Sequence, residues 1–264
     1  MSRPDAPDDG AFTVTSWDGT SIACTVSGAG PPIVLVHGTT GSDFSWALIR
    51  PFLEDRFAVF AMQRRGRGLS GDGADYSLER EAEDVAAVVD SIGEPVRLVG
   101  HSFGADCCLE AIQLTGNVDR LVLYEPAFDW PLDASSLARV DALVVSGDDD
   151  GATATYLREA AGLSQEELAT LRSSPTWDQR VAAAHTFGRE DRVAAAYAIA
   201  PGRFAGLTLP ILLLSGSDSH PEFRRSIDKV MAAIPHATPH VLDGEGHAAN
   251  VTAPELLAAE ISAF

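Results

Sequence analysis

Gly100-His101-Ser102-Phe103-Gly104 sets a serine between two glycines, directly after the apolar run Val96–Val99 and before the helical pattern Ala105–Leu114. A strand, a tight turn and a helix in that order lift a hydroxyl above a sheet and point the helix's first amides at developing negative charge. The glycines are needed because side chains there would meet neighbouring backbone. A serine at its free pKa is a weak nucleophile and requires a base. His247 is assigned that role. It lies in Asp243-Gly244-Glu245-Gly246-His247, after His240–Leu242 and just before the last helical pattern. His37 and His101 are rivals by type, but their places in the loop after Ile33–Val36 and inside the turn favour structural hydrogen bonding. His185, His220, His236 and His240 read as surface or lid histidines. An oxyanion needs two amide donors. The N–H of Phe103 supplies one, and the N–H of Thr39, in Val36-His37-Gly38-Thr39-Thr40-Gly41, is the favoured second.

The base needs a carboxylate to hold its tautomer and stabilise the imidazolium. Glu125 ends the apolar run Leu121-Val122-Leu123-Tyr124, and a carboxylate there is costly without a partner. Asp218 follows Leu214-Ser215-Gly216-Ser217 and is the alternative, with a turn or cap before Pro221 as its plainer role. Glu125 is preferred, and both stay open.

These residues demand a scaffold. Ala11–Trp17 and Ser21–Ser27 alternate around Asp18-Gly19, a hairpin signal. Pro32–Val36, Phe57–Met62, Val96–Val99, Leu121–Tyr124 and Ile211–Leu214 are short apolar runs of the kind buried on both faces of a sheet. Glu81–Ile92 carries Val85, Val88, Val89 and Ile92 on one helical face. Thr252-Ala253-Pro254-Glu255 resembles a capping box opening the last helix. Strands alternating with helices predict a mostly parallel sheet covered on both faces. Residues 127–207 break the alternation. They read as helical, with starts near Ser164-Gln165-Glu166-Glu167 and Ser174-Pro175 and with Trp130, Trp177, Phe187 and Tyr197 scattered through them. The chain is therefore divided into a core, 1–126 and 208–264, and an inserted helical lid, 127–207. Trp177, Val181 and His185, four apart, are expected on one helix face. His37, Trp46, His101, Trp177 and His185 are taken as pocket residues, with core packing the plainer fate for the lid stripe and for Trp46.

Composition excludes whole classes. The chain has 264 residues, 45% of them hydrophobic and 22% charged, ordinary for a globular protein. No apolar run approaches the roughly 18–20 residues that span a bilayer. The start shows no secretory pattern, and residues 1–10 read as an acidic tail. Nineteen basic against 38 acidic side chains give a net charge of −19, which argues against nucleic acid and anionic membrane surfaces as partners. Cys24, Cys107 and Cys108 form no metal-ligand spacing, and an odd count fits a reduced, cytoplasmic setting.

Together these segments resemble the α/β-hydrolase superfamily. The residues that carry the resemblance are Val36-His37-Gly38, Arg64-Arg65-Gly66-Arg67-Gly68-Leu69-Ser70, Gly100–Gly104, Tyr124-Glu125-Pro126 and Gly246-His247. The resemblance implies an α/β-hydrolase fold with a helical lid over Ser102 and no metal or organic cofactor. It also implies a small-molecule substrate: a small or medium carboxylic ester, thioester or lactone cleaved through an acyl-enzyme. A carbon–carbon bond hydrolase, a cofactor-free perhydrolase and a hydrolase-like receptor share the scaffold. Relatives place the acid three residues after a glycine beyond the seventh strand, where Asp218 is one short, or at the end of the sixth strand, where Glu125 stands. Gln63 replaces an aspartate common before the Arg-Arg-Gly stretch, which the resemblance marks as a structural loop. The pattern is silent on oligomeric state.

Overall fold

The computed structural model describes residues 11–128, 132–160 and 162–264. Trp130 and the acidic start at 1–10 lie outside them. The strands are β1 (Ala11–Thr15), β2 (Ser21–Gly28), β3 (Pro32–Val36), β4 (Ala58–Gln63), β5 (Val96–His101), β6 (Val118–Tyr124), β7 (Ile211–Gly216) and β8 (Thr238–Leu242). They form one sheet in the order β1-β2-β4-β3-β5-β6-β7-β8. β1 and β2 form the expected hairpin, β2 runs antiparallel to β4, and the pairings from β4 through β8 are parallel. The mostly parallel sheet is the one that the alternation of apolar runs with helices predicts, and the architecture is the α/β-hydrolase fold that the resemblance implied. β3 is buried along its whole length, as a central parallel strand must be.

Helices α1 (Arg50–Leu53), α2 (Leu78–Ile92), α3 (Phe103–Ala111), α9 (Pro221–Ala233), α10 (Ala249–Thr252) and α11 (Pro254–Ala263) belong to the sheet layers. One face packs Val34, Val36, Leu98 and Leu121 against α2, α3 and α9. The other packs Ile33, Leu35, Val99 and Val122 against Trp46, Ile49, Leu53, Leu257 and Ile261. α2 starts where the Ser77 side chain accepts the Arg80 N–H, and it ends at left-handed Gly93. The capping box expected before α11 does not form. Thr252 ends α10 and gives its hydroxyl to Glu245 at 2.5 Å, while Pro254 takes the first helical position of α11.

Between β6 and β7 the described residues make five helices: α4 (Ala134–Ser146), α5 (Asp149–Glu159), α6 (Gln165–Arg172), α7 (Trp177–Ala182) and α8 (Ala184–Ala196). α6 opens with a complete capping box between Ser164 and Glu167. The start expected at Ser174-Pro175 falls later, at Trp177, with no side-chain cap. The insertion has small cores of its own, around Val140, Tyr156 and Phe187 and around Leu157, Leu168 and Trp177. Both of its ends are clipped to α3. Asp106 accepts the Ala127 N–H at 3.0 Å on the way out. On the return Glu110 accepts from Tyr197 and pairs with Arg203.

Candidate active site

Ser102 sits between β5 and α3 with φ 55° and ψ −132°, a conformation that costs energy for a residue with a Cβ. The glycines on either side explain how the turn fits. A Cβ on Gly100 would lie 2.6 Å from the Ala105 Cα, and one on Gly104 would lie 2.4 Å from the carbonyl oxygens of Val36 and His37. The turn thus presses the helix that follows Ser102 against the end of β3. Gly38 completes the contact, since a Cβ there would meet the Ser102 Cβ at 2.8 Å. The N–H groups of Thr39 and Phe103 find no acceptor among the described residues. Both belong to segments packed around Ser102.

His247 is held from several sides. Its Nδ1–H donates to Glu125 Oε2 at 2.7 Å. Phe223 of α9 stacks on its ring at a centroid distance of 4.0 Å. His101 Nε2–H donates to the His247 carbonyl at 2.9 Å, and the Tyr124 hydroxyl donates to the Gly246 carbonyl and accepts the Ala249 N–H at 3.1 Å. Among the described residues no hydrogen bond joins Ser102 Oγ to His247; such contacts tighten when substrate is engaged.

Glu125 is fully buried, with φ 46°, and with Ser102 it is one of two non-glycine residues at positive φ among those described. Its Oε1 accepts the Gly216 N–H at 2.8 Å. The end of β7 thereby gives this carboxylate a backbone donor. Gly216 is required there, because a Cβ would stand 2.1 Å from the Glu245 carbonyl oxygen. Asp218 is exposed, accepts from Ser217 at 3.0 Å and makes no contact with His247 among the described residues. The geometry therefore brings Glu125, and not Asp218, to the histidine.

The expected pocket residues divide differently. His37 is fully buried, with Nδ1–H donating to Gly38 O at 2.7 Å and Nε2 accepting the Arg64 N–H at 3.2 Å, so it braces the loop. Burial, with Arg64 and Arg67 nearby, holds its pKa well below the ordinary value and keeps the ring neutral. His101 lies between Tyr124 and His247, and burial followed by the His247 charge lowers its pKa likewise. Trp46 is buried in the sheet core. Trp177 packs within the insertion and donates its indole N–H to Asp150 at 2.7 Å. His185 is exposed, 3.6 Å from Asp72. The shared helix face fails because Ala183 breaks the helix between α7 and α8.

The Arg-rich loop is a buried ionic lattice. Arg64 pairs with Glu81 at 3.3 Å and Glu190 at 2.6 Å, Arg65 with Asp84 at 2.7 Å, and Arg67 with Glu190 at 2.5 Å. Arg67 also donates to Gly41 O at 3.0 Å and to Thr39 O, fixing the loop that carries the Thr39 amide. Glu190 comes from α8, so the insertion helps to hold that loop. Gln63 accepts the Leu69 N–H at 2.6 Å and serves the same turn. Gly216, Phe223, Tyr124 and Glu190 are contributions the sequence did not announce. Of these, Tyr124, beside Glu125, and Gly216, before Asp218, stood in segments already marked.

Residues 33–260 match the model of the Alpha/beta hydrolase family. An alpha/beta hydrolase from Sphaerobacter thermophilus DSM 20745 superposes with a TM-score of 0.82 at 32% identity, covering 95% of this chain and 99% of that one. The chain is 34% identical over 148 residues to the pimeloyl-[acyl-carrier protein] methyl ester esterase of Methylococcus capsulatus, 53% of this chain and 57% of that protein. It is 32% identical over 160 residues to the N-formylmaleamate deformylase of Pseudomonas putida, 54% and 59% respectively. It thus spans less than two thirds of the length of these two relatives. No helix among the described residues is long and apolar enough to cross a membrane.

Proposed function

The chain belongs to the alpha/beta hydrolase family, and from that membership we propose a serine hydrolase that cleaves a small or medium carboxylic ester, thioester or lactone through an acyl-enzyme on Ser102. The observation that carries the reading is the 2.7 Å contact between Glu125 and His247 beside the strained serine turn. With the Nδ1 proton committed to Glu125, His247 Nε2 is a free base. It takes the Ser102 proton as Oγ attacks the carbonyl carbon, and Glu125 stabilises the imidazolium. The tetrahedral oxyanion is received by the amides of Thr39 and Phe103, which have no other acceptor among the described residues. Nε2–H then protonates the leaving group. Water, deprotonated by His247, releases the acid and restores Ser102.

The five-helix insertion acts as a lid that limits access to Ser102. The relatives named as a methyl ester esterase and a deformylase support acyl transfer to water as the reaction class. The test is labelling by a fluorophosphonate probe together with turnover of p-nitrophenyl esters of increasing acyl length. Labelling should vanish in Ser102→Ala and fall steeply in His247→Ala. Wild-type protein that stays unlabelled and inactive across the series would overturn the proposal.

A further inference from the structure

Three arginines of the Arg-rich loop are neutralised, and a fourth, on the insertion, is not. Arg64, Arg65 and Arg67 each face buried carboxylates at 2.5–3.3 Å. Arg180, on α7 of the insertion, has no carboxylate within ion-pair distance among the described residues. One of its terminal nitrogens donates to Thr40 O at 2.8 Å and to Thr40 Oγ1 at 3.2 Å. Its guanidinium carbon stands 4.7 Å over the Phe44 ring. Its Nε is buried with no acceptor, and burial alone pulls its pKa down to about 10. A largely buried cation without a counter-ion carries a desolvation cost.

The location says which ligand would supply a counter-ion. Thr40 is two residues beyond Gly38, which abuts Ser102. Thr40 directly follows Thr39, whose amide is the proposed oxyanion donor, so Arg180 is fastened to the same loop as that donor. A planar fork of donors on an aromatic face matches a carboxylate. We infer that Arg180 is a specificity residue that binds a carboxylate carried on the acyl part of the substrate, a few bonds from the scissile carbonyl. The substrate class is then the half-ester or half-thioester of a short dicarboxylic acid. The inference rests on the reading of Ser102 as the acyl-accepting nucleophile. A chain with a net charge of −19 otherwise repels anions, so a preference for an anionic substrate has to arise from a local cation.

The test compares monomethyl succinate, glutarate and adipate with methyl butyrate, valerate and hexanoate by pH-stat, with fluorophosphonate labelling of Ser102 run beside it. In the wild type at least one half-ester should exceed its neutral counterpart tenfold or more in kcat/KM. Arg180→Met should cut that ratio tenfold or more, with Arg180→Lys retaining part of it. Should the variants misfold, free glutarate should still inhibit wild-type turnover of the matching neutral ester competitively, and far better than its diamide. Labelled, active protein whose anionic-to-neutral ratio is near one, or unmoved by Arg180→Met, or which glutarate inhibits no better than the diamide, overturns the inference alone. Loss of both labelling and turnover in the wild type overturns the hydrolase reading and this inference with it.

Discussion

Replacing Glu125 with glutamine should reveal how the acid works, because the structure fixes which way the new amide turns. In the native site Oε1 accepts the Gly216 N–H at 2.8 Å and Oε2 faces His247 Nδ1 at 2.7 Å. Only the amide oxygen can accept from Gly216, so the substituted side chain must point its NH2 at His247. That group is a donor and needs Nδ1 as an acceptor. The imidazole proton then moves to Nε2, the nitrogen that should receive the Ser102 proton. The shape of the site is kept and the tautomer is wrong. Loss of this kind is on the order of 10⁴ in kcat, about 5.4 kcal/mol of transition-state stabilisation at 1.36 kcal/mol per tenfold. The assay is steady-state hydrolysis of a p-nitrophenyl ester with KM resolved from kcat, and near-ultraviolet circular dichroism to show that the fold is intact. KM should move little. Asp218→Asn, on an exposed side chain that accepts only from the Ser217 hydroxyl among the described residues, should lose tenfold or less. Glu125→Gln that keeps a tenth of wild-type kcat, or a larger loss in Asp218→Asn, would refute the argument.

Three further outcomes follow from the packing. Glu190→Gln leaves Arg64 and Arg67 short of a buried counter-ion, a change that costs about 3–5 kcal/mol. At about 2–4 °C per kcal/mol this is a fall in Tm of roughly 6–20 °C by calorimetry, and a shift within about 2 °C would mean the lattice does not hold the insertion down. Trp177→Ala should destabilise the insertion by about 3 kcal/mol and speed amide exchange in α6 and α7, with unchanged exchange there counting against a packing role. Burial holds the Asp106 carboxyl well above its ordinary value, so the native state keeps a proton that the unfolded chain releases above about pH 4. Its contribution is full below that pH and lost as pH rises toward the folded value, by up to about 1.36 kcal/mol per unit. Asp106→Asn, which mimics the protonated acid, should match wild type in urea unfolding at pH 4 and surpass it at pH 7; a variant that loses ground between those pH values refutes the assignment.

The parts legible in the sequence were those whose signal is local. Apolar runs such as Ile33–Val36 mark strands because burial on both faces leaves no polar position. The glycines around Ser102 mark the elbow because only they fit its contacts. Glu125 stood out because a carboxylate at the end of a buried run needs a reason. What stayed hidden depends on long-range pairing. The Gly216 amide meets Glu125 across 91 residues of chain, and Arg180 meets Thr40 across 140. The misread stripe of Trp177, Val181 and His185 has a local cause. The break falls at Ala183, within Ala182-Ala183-Ala184, and alanine is the residue that least announces the end of a helix. His37 and Trp46 were drawn to the pocket by proximity to the right loop, whereas their side chains turn inward beneath it.

The two clips on α3 make the insertion a cassette. Asp106 grips Ala127 where the chain leaves the core, and Glu110, one helical turn further along the same helix, grips Tyr197 and Arg203 where it comes back. Ser226 adds a donor to the Phe128 carbonyl at 3.1 Å. The splice points for exchanging insertions between members of this fold are therefore written into the nucleophile's own helix. A foreign segment joined after Phe128 and before Tyr197 inherits both attachments without touching Glu125 or His247. It must, however, bring its own acid in place of Glu190, or Arg64 and Arg67 lose their partner and the loop bearing the Thr39 amide loses its brace. A graft cut closer to the core would sever the clips. On the proposed reading of the insertion as a lid, substrate range can be rebuilt by transplanting about 70 residues, so long as one buried carboxylate travels with them.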